Sequence, residues 1–178
     1  MAEANQDGPY WIDTGGLARS MKDSPLRMAI VRCPPGGDRT QGYVKSLQAA
    51  GIEVLVSLLE PEETRILGLE QEGAICRRTG MIFRWMPVQD HFVPESAEEF
   101  ALMVEEIRRE LHEGKPVAAH CYAGIGRSCM LMACVLCAEG LTPEQAFSRL
   151  SKARGVNVPD TWMQIRWVEH FAASLRVP

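Results

Sequence analysis

The sequence has no apolar run long enough to cross a membrane and no excess of positive charge. Its longest apolar run, residues 129–138, is about half of the roughly 20 residues that a membrane helix needs. With 19 Lys and Arg against 23 Asp and Glu, the formal net charge is −4, which disfavours general binding to nucleic acids. Any affinity for an anion must therefore arise at a local site.

Targeting signals, repeats and a disulfide pattern are also missing. Residues 1–9 are polar and lack the basic start and apolar core of a secretory signal peptide, and no internal repeat is found. Three of the six cysteines, Cys129, Cys134 and Cys137, fall in the one apolar run, which is typical of buried thiols. We therefore expect a cytoplasmic monomer, with a flexible N-terminus at residues 1–8 and a single domain at residues 9–178.

Short apolar segments alternate with helical patterns along the chain. The segments at residues 28–31, 54–59, 81–86 and 117–120 are predicted strands, and we expect a further strand at residues 10–12. Strands separated by helices indicate an α/β fold, with a mostly parallel central sheet of four to five strands and helices on both faces. Ligands of such sheets bind at the carboxyl ends of the strands, where the helices begin.

Three helices are well marked. Apolar residues recur at three- and four-residue spacing over residues 97–111, and Thr142, Pro143 and Gln145 form a helix start with a capping box. The last helix is predicted over residues 160–175. Its expected buried side chains, or their neighbours, are Trp162, Ile165, Val168 and Ala172.

A cysteine-containing loop follows the predicted strand at residues 117–120. Residues 120–128 read His-Cys-Tyr-Ala-Gly-Ile-Gly-Arg-Ser and lead directly into an apolar helix. The helix dipole and the unpaired amides at its N-terminus favour the thiolate form of Cys121. Gly124 and Gly126 let the loop curl so that its amides converge on one anion. The loop therefore predicts a phosphate site with Cys121 as the nucleophile.

The neighbouring side chains fit the same chemistry. The planar guanidinium of Arg127 can hold two phosphate oxygens, and Ser128 can donate a hydrogen bond to the sulfur when it leaves. We expect His120 to hydrogen-bond the loop backbone and to steady its shape. The predicted phosphate-binding loop consists of Tyr122, Ala123, Gly124, Ile125, Gly126 and Arg127.

A second segment, Cys33 to Arg39, has the same cysteine-to-arginine spacing and also follows a predicted strand. In this segment Pro34 and Pro35 remove two amides that a phosphate needs, and Asp38 adds a negative charge. The later loop has no proline and no acid. We therefore expect the earlier cysteine not to be the nucleophile.

The pattern His120-Cys121-x-x-Gly124-x-Gly126-Arg127-Ser128 resembles the signature loop of the protein tyrosine phosphatase superfamily. The chain size is similar to that of its compact dual-specificity members, and residues 56–59, 87–90 and the last helix occur in matching order. The resemblance implies hydrolysis of phosphate monoesters through a cysteinyl-phosphate intermediate, with no cofactor and no metal.

Departure of the leaving group requires a proton donor, and the same group can then activate water. Asp90 follows a predicted strand on a segment bracketed by prolines, and the family carries its general acid on such a segment. The alternative is an ordinary turn aspartate. Glu60, Glu62 and Glu63 are fallback acids, expected rather as a solvated helix start, and His91 is given no role.

The sequence gives weaker indications for one glutamine and four further cysteines. The resemblance implies that Gln164 positions the hydrolytic water, although its helix face can equally leave it solvated. The resemblance also makes Cys76 and Cys129 candidate disulfide partners for the nucleophile. Cys134 and Cys137 have metal-like spacing but lie in an apolar helix without further ligands, so we expect them in the core.

The composition of the loop limits the class of substrate but does not name one. Relatives that act on phosphoinositides tend to carry lysines in the loop, and this loop has none. The expected partner is a phosphorylated protein, with phosphotyrosine and also phosphoserine or phosphothreonine, or a small aryl phosphate; no nucleic acid and no membrane is expected. Two alternatives stay open: an arsenate reductase, and a phosphate- or phosphopeptide-binding module without turnover.

Overall fold

The computed structural model describes residues 8–176, which form one five-stranded sheet with seven α-helices around it. The strands are β1 (Tyr10–Trp11), β2 (Met28–Ile30), β3 (Val54–Ser57), β4 (Ile82–Trp85) and β5 (Val117–His120). Their order is β1-β2-β5-β3-β4, and only the β1–β2 pair is antiparallel. The predicted α/β class and the mostly parallel sheet are therefore confirmed, whereas the predicted N-terminal segment lies outside the described residues except for Gly8.

The helices alternate with the strands as the sequence pattern indicates. They are α1 (Thr40–Ala49), α2 (Pro61–Ile66), α3 (Glu72–Thr79), α4 (Ala97–His112), α5 (Arg127–Ala138), α6 (Pro143–Arg154) and α7 (Trp162–Ser174). The capping box of α6 is confirmed: Thr142 Oγ1 accepts from the Gln145 amide, and Gln145 Oε1 accepts from the Thr142 amide. No helix within residues 8–176 has both the length and the apolar character to span a membrane.

Alternate residues of each strand pack on opposite faces of the sheet. Val54 and Val56 belong to a large core shared with α4–α7, whereas Leu55 belongs to a second core shared with α1 and α3. Strand β5 is buried along its whole length between the two cores. Helices therefore cover both faces, as predicted.

The buried face of α7 differs in part from the prediction. Trp162 is 72 % exposed and Ile165 is 38 % exposed, while Gln164, Val168 and Ala172 are buried at four-residue spacing. The buried face of α7 therefore begins with the polar residue Gln164. A prediction from hydropathy alone does not choose such a face. This face places Gln164 inside the protein, beside the loop that precedes α5.

The chain leaves the sheet at one edge in three neighbouring places. The predicted strand at residues 54–59 ends at Ser57, but Leu58 stays buried, and its amide donates to the His120 carbonyl. The Val88 amide in turn donates to the Leu58 carbonyl. The segments after β3, β4 and β5 are therefore tied together, and this edge holds the candidate site.

Candidate active site

Cys121 lies directly after β5, at the start of the loop that leads into α5. Its side chain is buried, and its Sγ is 3.4 Å from the Oγ of Ser128 in the first turn of α5. Gly124 has a φ of 68°, a left-handed conformation that favours glycine. A Cβ at this position would also lie 3.2 Å from Ile30 and 3.3 Å from the Val31 carbonyl oxygen. The curl of the loop thus depends on glycine for both conformation and space.

Arg127 opens α5, and its guanidinium is buried at the bottom of the site. Its Nη1 donates to Glu63 Oε2 at 2.6 Å and to the Val88 carbonyl at 2.9 Å. Its Nη2 donates to Glu63 Oε1 at 2.9 Å and lies 3.0 Å from Asp90 Oδ1. Burial by itself lowers the pKa of Arg127, but Glu63 and Cys121 outweigh it, so the net pKa is raised and the cation is retained.

Glu63 is a site residue that sequence analysis missed. It was expected at a solvated helix start, but its side chain is only 21 % exposed and binds Arg127 with both oxygens. Burial raises the pKa of Glu63, but Arg127 and the Glu60 amide together lower it by more than burial raises it. The net shift of the pKa is therefore downward. The local signal was the start of α2, where the Glu63 carboxylate reaches back to Glu60 in a capping box and so points along the strand ends.

Asp90 is brought into the site by the segment after β4. Its carboxylate is half-exposed and reaches Arg127, as given above. The next residue, His91, has a φ of 63°, and its ring lies 3.5 Å from Asp90 Oδ2 and 3.7 Å from Asp160 Oδ2. The position fits a proton donor at the mouth of the site, and the role of Asp90 stays a prediction.

Gln164 faces the signature loop from α7. Its Nε2 donates to the Phe92 carbonyl at 3.1 Å, so that it also ties α7 to the segment after Asp90. A Cβ on Gly126 would lie 2.9 Å from Gln164 Oε1 and 2.2 Å from Asp160 Oδ1. The solvated alternative for Gln164 is therefore wrong, and its water-positioning role stays a prediction.

The loop is held from outside by Arg154, which sequence analysis also missed. Its Nε donates to the Gly124 carbonyl at 2.7 Å and its Nη2 to the Ala123 carbonyl at 3.3 Å. Its guanidinium lies 4.0 Å above the ring of Tyr10. With its carbonyls engaged on the outer side, the loop can keep its amides directed inward.

His120 is fully buried behind the loop. Its Nδ1 is 3.4 Å from the Cys121 carbonyl oxygen, as expected for a residue that steadies the loop backbone. Its Nε2 is 2.8 Å from Oε1 of Glu72 on α3, a partner that the sequence did not indicate.

The other cysteines are free thiols around the site. Cys33, at the neighbouring end of β2, is partly exposed and interacts with the His120 ring. Cys129 is buried, its Sγ donates to the Gly124 carbonyl at 3.6 Å, and burial raises its pKa. Cys134 and Cys137 lie in the core side of α5, as expected. No cluster of metal ligands is found in the part of the chain that the structure describes.

An open cleft of about 250 Å³ lies at the mouth of the site. It is lined by Glu63, Ile66, Leu67, Asp90 and Tyr122. Tyr122, the residue after the cysteine, is exposed at its rim.

Comparisons with known proteins give the same family. A family model described as "Polymorphic toxin system, DSP-PTPase phosphatase" matches residues 32–141. Human cyclin-dependent kinase inhibitor 3 is 32 % identical over 103 residues, which cover 57 % of this chain and 48 % of that protein. Mouse protein tyrosine phosphatase domain-containing protein 1 is 31 % identical over 155 residues, covering 80 % of this chain and 20 % of that protein. The chain thus spans about half the length, or less, of these curated relatives.

Solved structures with the same fold include kinase associated phosphatase (KAP) with its catalytic site cysteine substituted by serine. It has a TM-score of 0.84 at 20 % identity and covers 99 % of both chains. Tk-PTP in the active form has a TM-score of 0.72 at 21 % identity, covering 95 % of this chain and 99 % of that one. Since the family model matches more than half of the chain, including Cys121 and Arg127, this protein belongs to the DSP-PTPase phosphatases, the compact dual-specificity group of the protein tyrosine phosphatase superfamily.

Proposed function

We propose that this protein hydrolyses phosphate monoesters of phosphorylated proteins through a cysteinyl-phosphate intermediate on Cys121. The observation that carries the proposal is the convergence of three strand ends on one point. There Cys121 lies at the foot of an amide-rich loop, and the Arg127 guanidinium is 3.0 Å from the Asp90 carboxylate. A nucleophile, an anion holder and a proton carrier are thereby combined in one open cleft.

In the first step the Cys121 thiolate attacks phosphorus, and the bond from phosphorus to the ester oxygen breaks. The loop amides and Arg127 hold the non-bridging oxygens, while Asp90 gives its proton to the leaving oxygen. When the substrate binds, before this step, a phosphate oxygen takes the place of Asp90 at Arg127 Nη2, which frees the Asp90 carboxyl to carry the proton for the leaving group. Glu63 keeps the guanidinium in plane through its two contacts of 2.6 and 2.9 Å.

In the second step water attacks phosphorus and the bond between sulfur and phosphorus breaks. Asp90, now a carboxylate, takes a proton from the water, and inorganic phosphate is released. Ser128, 3.4 Å from Sγ, donates to the departing sulfur. Gln164, buried against the loop at Gly126, positions the water.

The substrate class follows from the cleft and the loop. The cleft beside Asp90 and Tyr122 is open, which suits a phosphotyrosine, and by analogy with the dual-specificity group a compact chain should also admit phosphoserine or phosphothreonine. Residues 122–127 contain no lysine, which favours a single phosphoryl group over a phosphoinositide headgroup. The names of the relatives, a cyclin-dependent kinase inhibitor and a kinase associated phosphatase, support a protein as the substrate.

The alternatives have less support. Arsenate reduction needs a relay thiol, and the adjacent Cys129 is buried with a raised pKa, which disfavours its thiolate. A binding module without turnover is expected to lack the nucleophile, the arginine or the acid, and the chain has all three. The cytoplasmic location and the monomeric state stay predictions.

The proposal is tested by steady-state hydrolysis of aryl phosphates against pH, with a reductant and without added metal. We expect a bell-shaped profile for the wild type and no turnover for Cys121→Ser, which keeps the amides and Arg127 and should still bind vanadate. Asp90→Asn should slow esters with poor leaving groups far more than those with good ones, because only the former need the proton.

Cys33→Ser is the matched control, since it removes the other cysteine with the same spacing, and it should retain most of the turnover. Turnover that persists in Cys121→Ser but disappears in Cys33→Ser would reverse the choice of nucleophile. A wild type without turnover that binds vanadate tightly would identify a binding module.

A further inference from the structure

Two ionisable side chains are buried together behind the signature loop. Glu72 on α3 and His120 at the end of β5 are both almost inaccessible to solvent, and Glu72 Oε1 is 2.8 Å from His120 Nε2. The contact does not meet the geometry of a hydrogen bond, and neither atom has another hydrogen-bond partner among the described residues, so a protonated ring and the carboxylate would attract each other as an ion pair. Such groups are seldom fully buried unless they are paired, and a pair like this often serves a purpose other than stability.

The surroundings of the His120 ring determine its protonation state. Nδ1 faces the Cys121 carbonyl oxygen at 3.4 Å and Nε2 faces the Glu72 carboxylate, and both oxygens are acceptors. A proton on each ring nitrogen suits both of these oxygens, so the geometry favours the imidazolium form.

The charged and titratable groups around His120 agree with this state. Burial lowers the pKa of His120, but Glu72 from α3 and Cys33 from the segment after β2 outweigh it and raise the pKa to about 10. The third titratable neighbour is Cys121 itself, the next residue along the chain. An isolated imidazolium in this interior would lose its proton, and Glu72 supplies the compensating charge.

We propose that Glu72 is a positioning residue for the nucleophile: its carboxylate holds the His120 ring as an imidazolium, and the ring in turn orients the Cys121 carbonyl and with it the start of the signature loop. The catalytic consequence rests on the proposed function, but the protonation of His120 and the reactivity of Cys121 do not. The imidazolium lies between Glu72 and the loop, so its positive charge is nearer to Cys121 than the negative charge is. Glu72 lies on α3, which packs on the face of the sheet opposite to α5, and it acts on the loop through the side chain of His120.

The test compares Glu72→Gln with Glu110→Gln. Glu110 is also a buried carboxylate in an ion pair, with Arg84 at 3.0 Å and Lys115 at 2.5 Å, but it lies on α4 away from the loop. Nitrogen NMR of the imidazole rings distinguishes the four histidines once His91, His112 and His170 are assigned by substitution. We expect His120 to be an imidazolium at pH 8 in the wild type and in Glu110→Gln, and neutral in Glu72→Gln.

Alkylation of Cys121 by iodoacetamide, followed by peptide mass spectrometry, gives a second readout. At pH 6 the reaction should be about tenfold slower in Glu72→Gln than in the wild type, because a neutral ring no longer holds the Cys121 carbonyl and the sulfur shifts from its place in the loop. Glu110→Gln should match the wild type, and Glu72→Asp, which keeps the charge, should restore much of the rate.

A neutral His120 in the wild type at pH 8 would overturn the proposal, and this measurement needs no variant to fold. An imidazolium that persists in Glu72→Gln, or an unchanged alkylation rate there, would overturn it as well. Absence of phosphatase turnover in the wild type, with the NMR and alkylation results as expected, would instead refute the proposed function alone.

Discussion

At the scale of single residues, the state of Arg127 depends on the carboxylate that faces it from α2. Glu63 binds both terminal nitrogens of the guanidinium, whereas its neighbour Glu62 is 66 % exposed and pairs with Arg65 on the surface. Because Glu63 accepts from both terminal nitrogens of Arg127, the guanidinium is held in one plane. Its remaining N–H groups then stay directed at a phosphate.

We therefore predict that Glu63→Gln lowers kcat/KM for an aryl phosphate by about 10- to 100-fold, the value of one charge-assisted hydrogen bond. Glu62→Gln, one position away, should leave kcat/KM unchanged within about twofold, because that carboxylate has no contact with the site. Steady-state kinetics on the two variants tests this. Equal activity of Glu63→Gln and the wild type would show that Arg127 keeps its position without Glu63.

Sequence analysis predicted Cys121, Arg127, Asp90 and Ser128 as site residues from local sequence, namely strand ends, glycines and a helix start, and the structure brings these residues together. It named Glu63 only as a fallback acid and did not identify Glu72 or Arg154. Each of these contacts the loop from an element distant in the chain: the capping box at Glu63 marks a helix start but not a contact with Arg127, and no local pattern distinguishes Glu72 or Arg154 from an ordinary surface charge.

At the scale of elements, the signature loop and α7 are in direct contact at Gly126. A Cβ there would lie 2.2 Å from Asp160 Oδ1, in the segment before α7, and 2.9 Å from Gln164 Oε1. An added methyl group must push α7 and the loop apart. The displacement would move Gln164 and the amides of the loop together.

We predict that Gly126→Ala lowers kcat by about 10²-fold, since a displacement of about 1 Å at reacting groups has an effect of that size. The matched control is Gly42→Ala in α1, where a Cβ meets nothing within 4 Å. That change should leave kcat unaltered and raise the free energy of unfolding by about 1 kcal/mol, because alanine is the better helix former. Normal kcat in Gly126→Ala would mean that the contact is not needed for the reaction.

At the scale of the whole molecule, two buried ion pairs make stability depend on pH in opposite directions. The pKa of His120 is raised in the folded state to about 10 from an ordinary value of about 6.5. Its contribution to stability is therefore complete below pH 6.5 and is lost as the pH rises toward 10. The pKa of Glu63 is lowered, so its contribution is present above about pH 4.3 and is lost as the pH falls further.

We accordingly predict that the free energy of unfolding in urea decreases from pH 7 to pH 10. The decrease should be smaller in Glu72→Gln, in which the folded-state pKa of His120 returns toward its ordinary value. Glu110→Gln should be less stable than the wild type at every pH in this range but should retain the slope. A wild-type stability that is flat between pH 7 and pH 10 would contradict the assignment of an imidazolium to His120.

The sequence by itself determined the features that depend on local pattern. The alternation of buried strands and helices predicted the class of fold, and the two prolines and the acid of the Cys33 segment were the grounds for preferring the Cys121 loop. Only the tertiary structure decided which face of α7 is buried and which carboxylates reach the site. These depend on how residues far apart in the chain meet at the carboxyl edge of the sheet: Gln164 is buried where α7 packs against Gly126 and the Phe92 carbonyl, and Glu72 where α3 packs against His120.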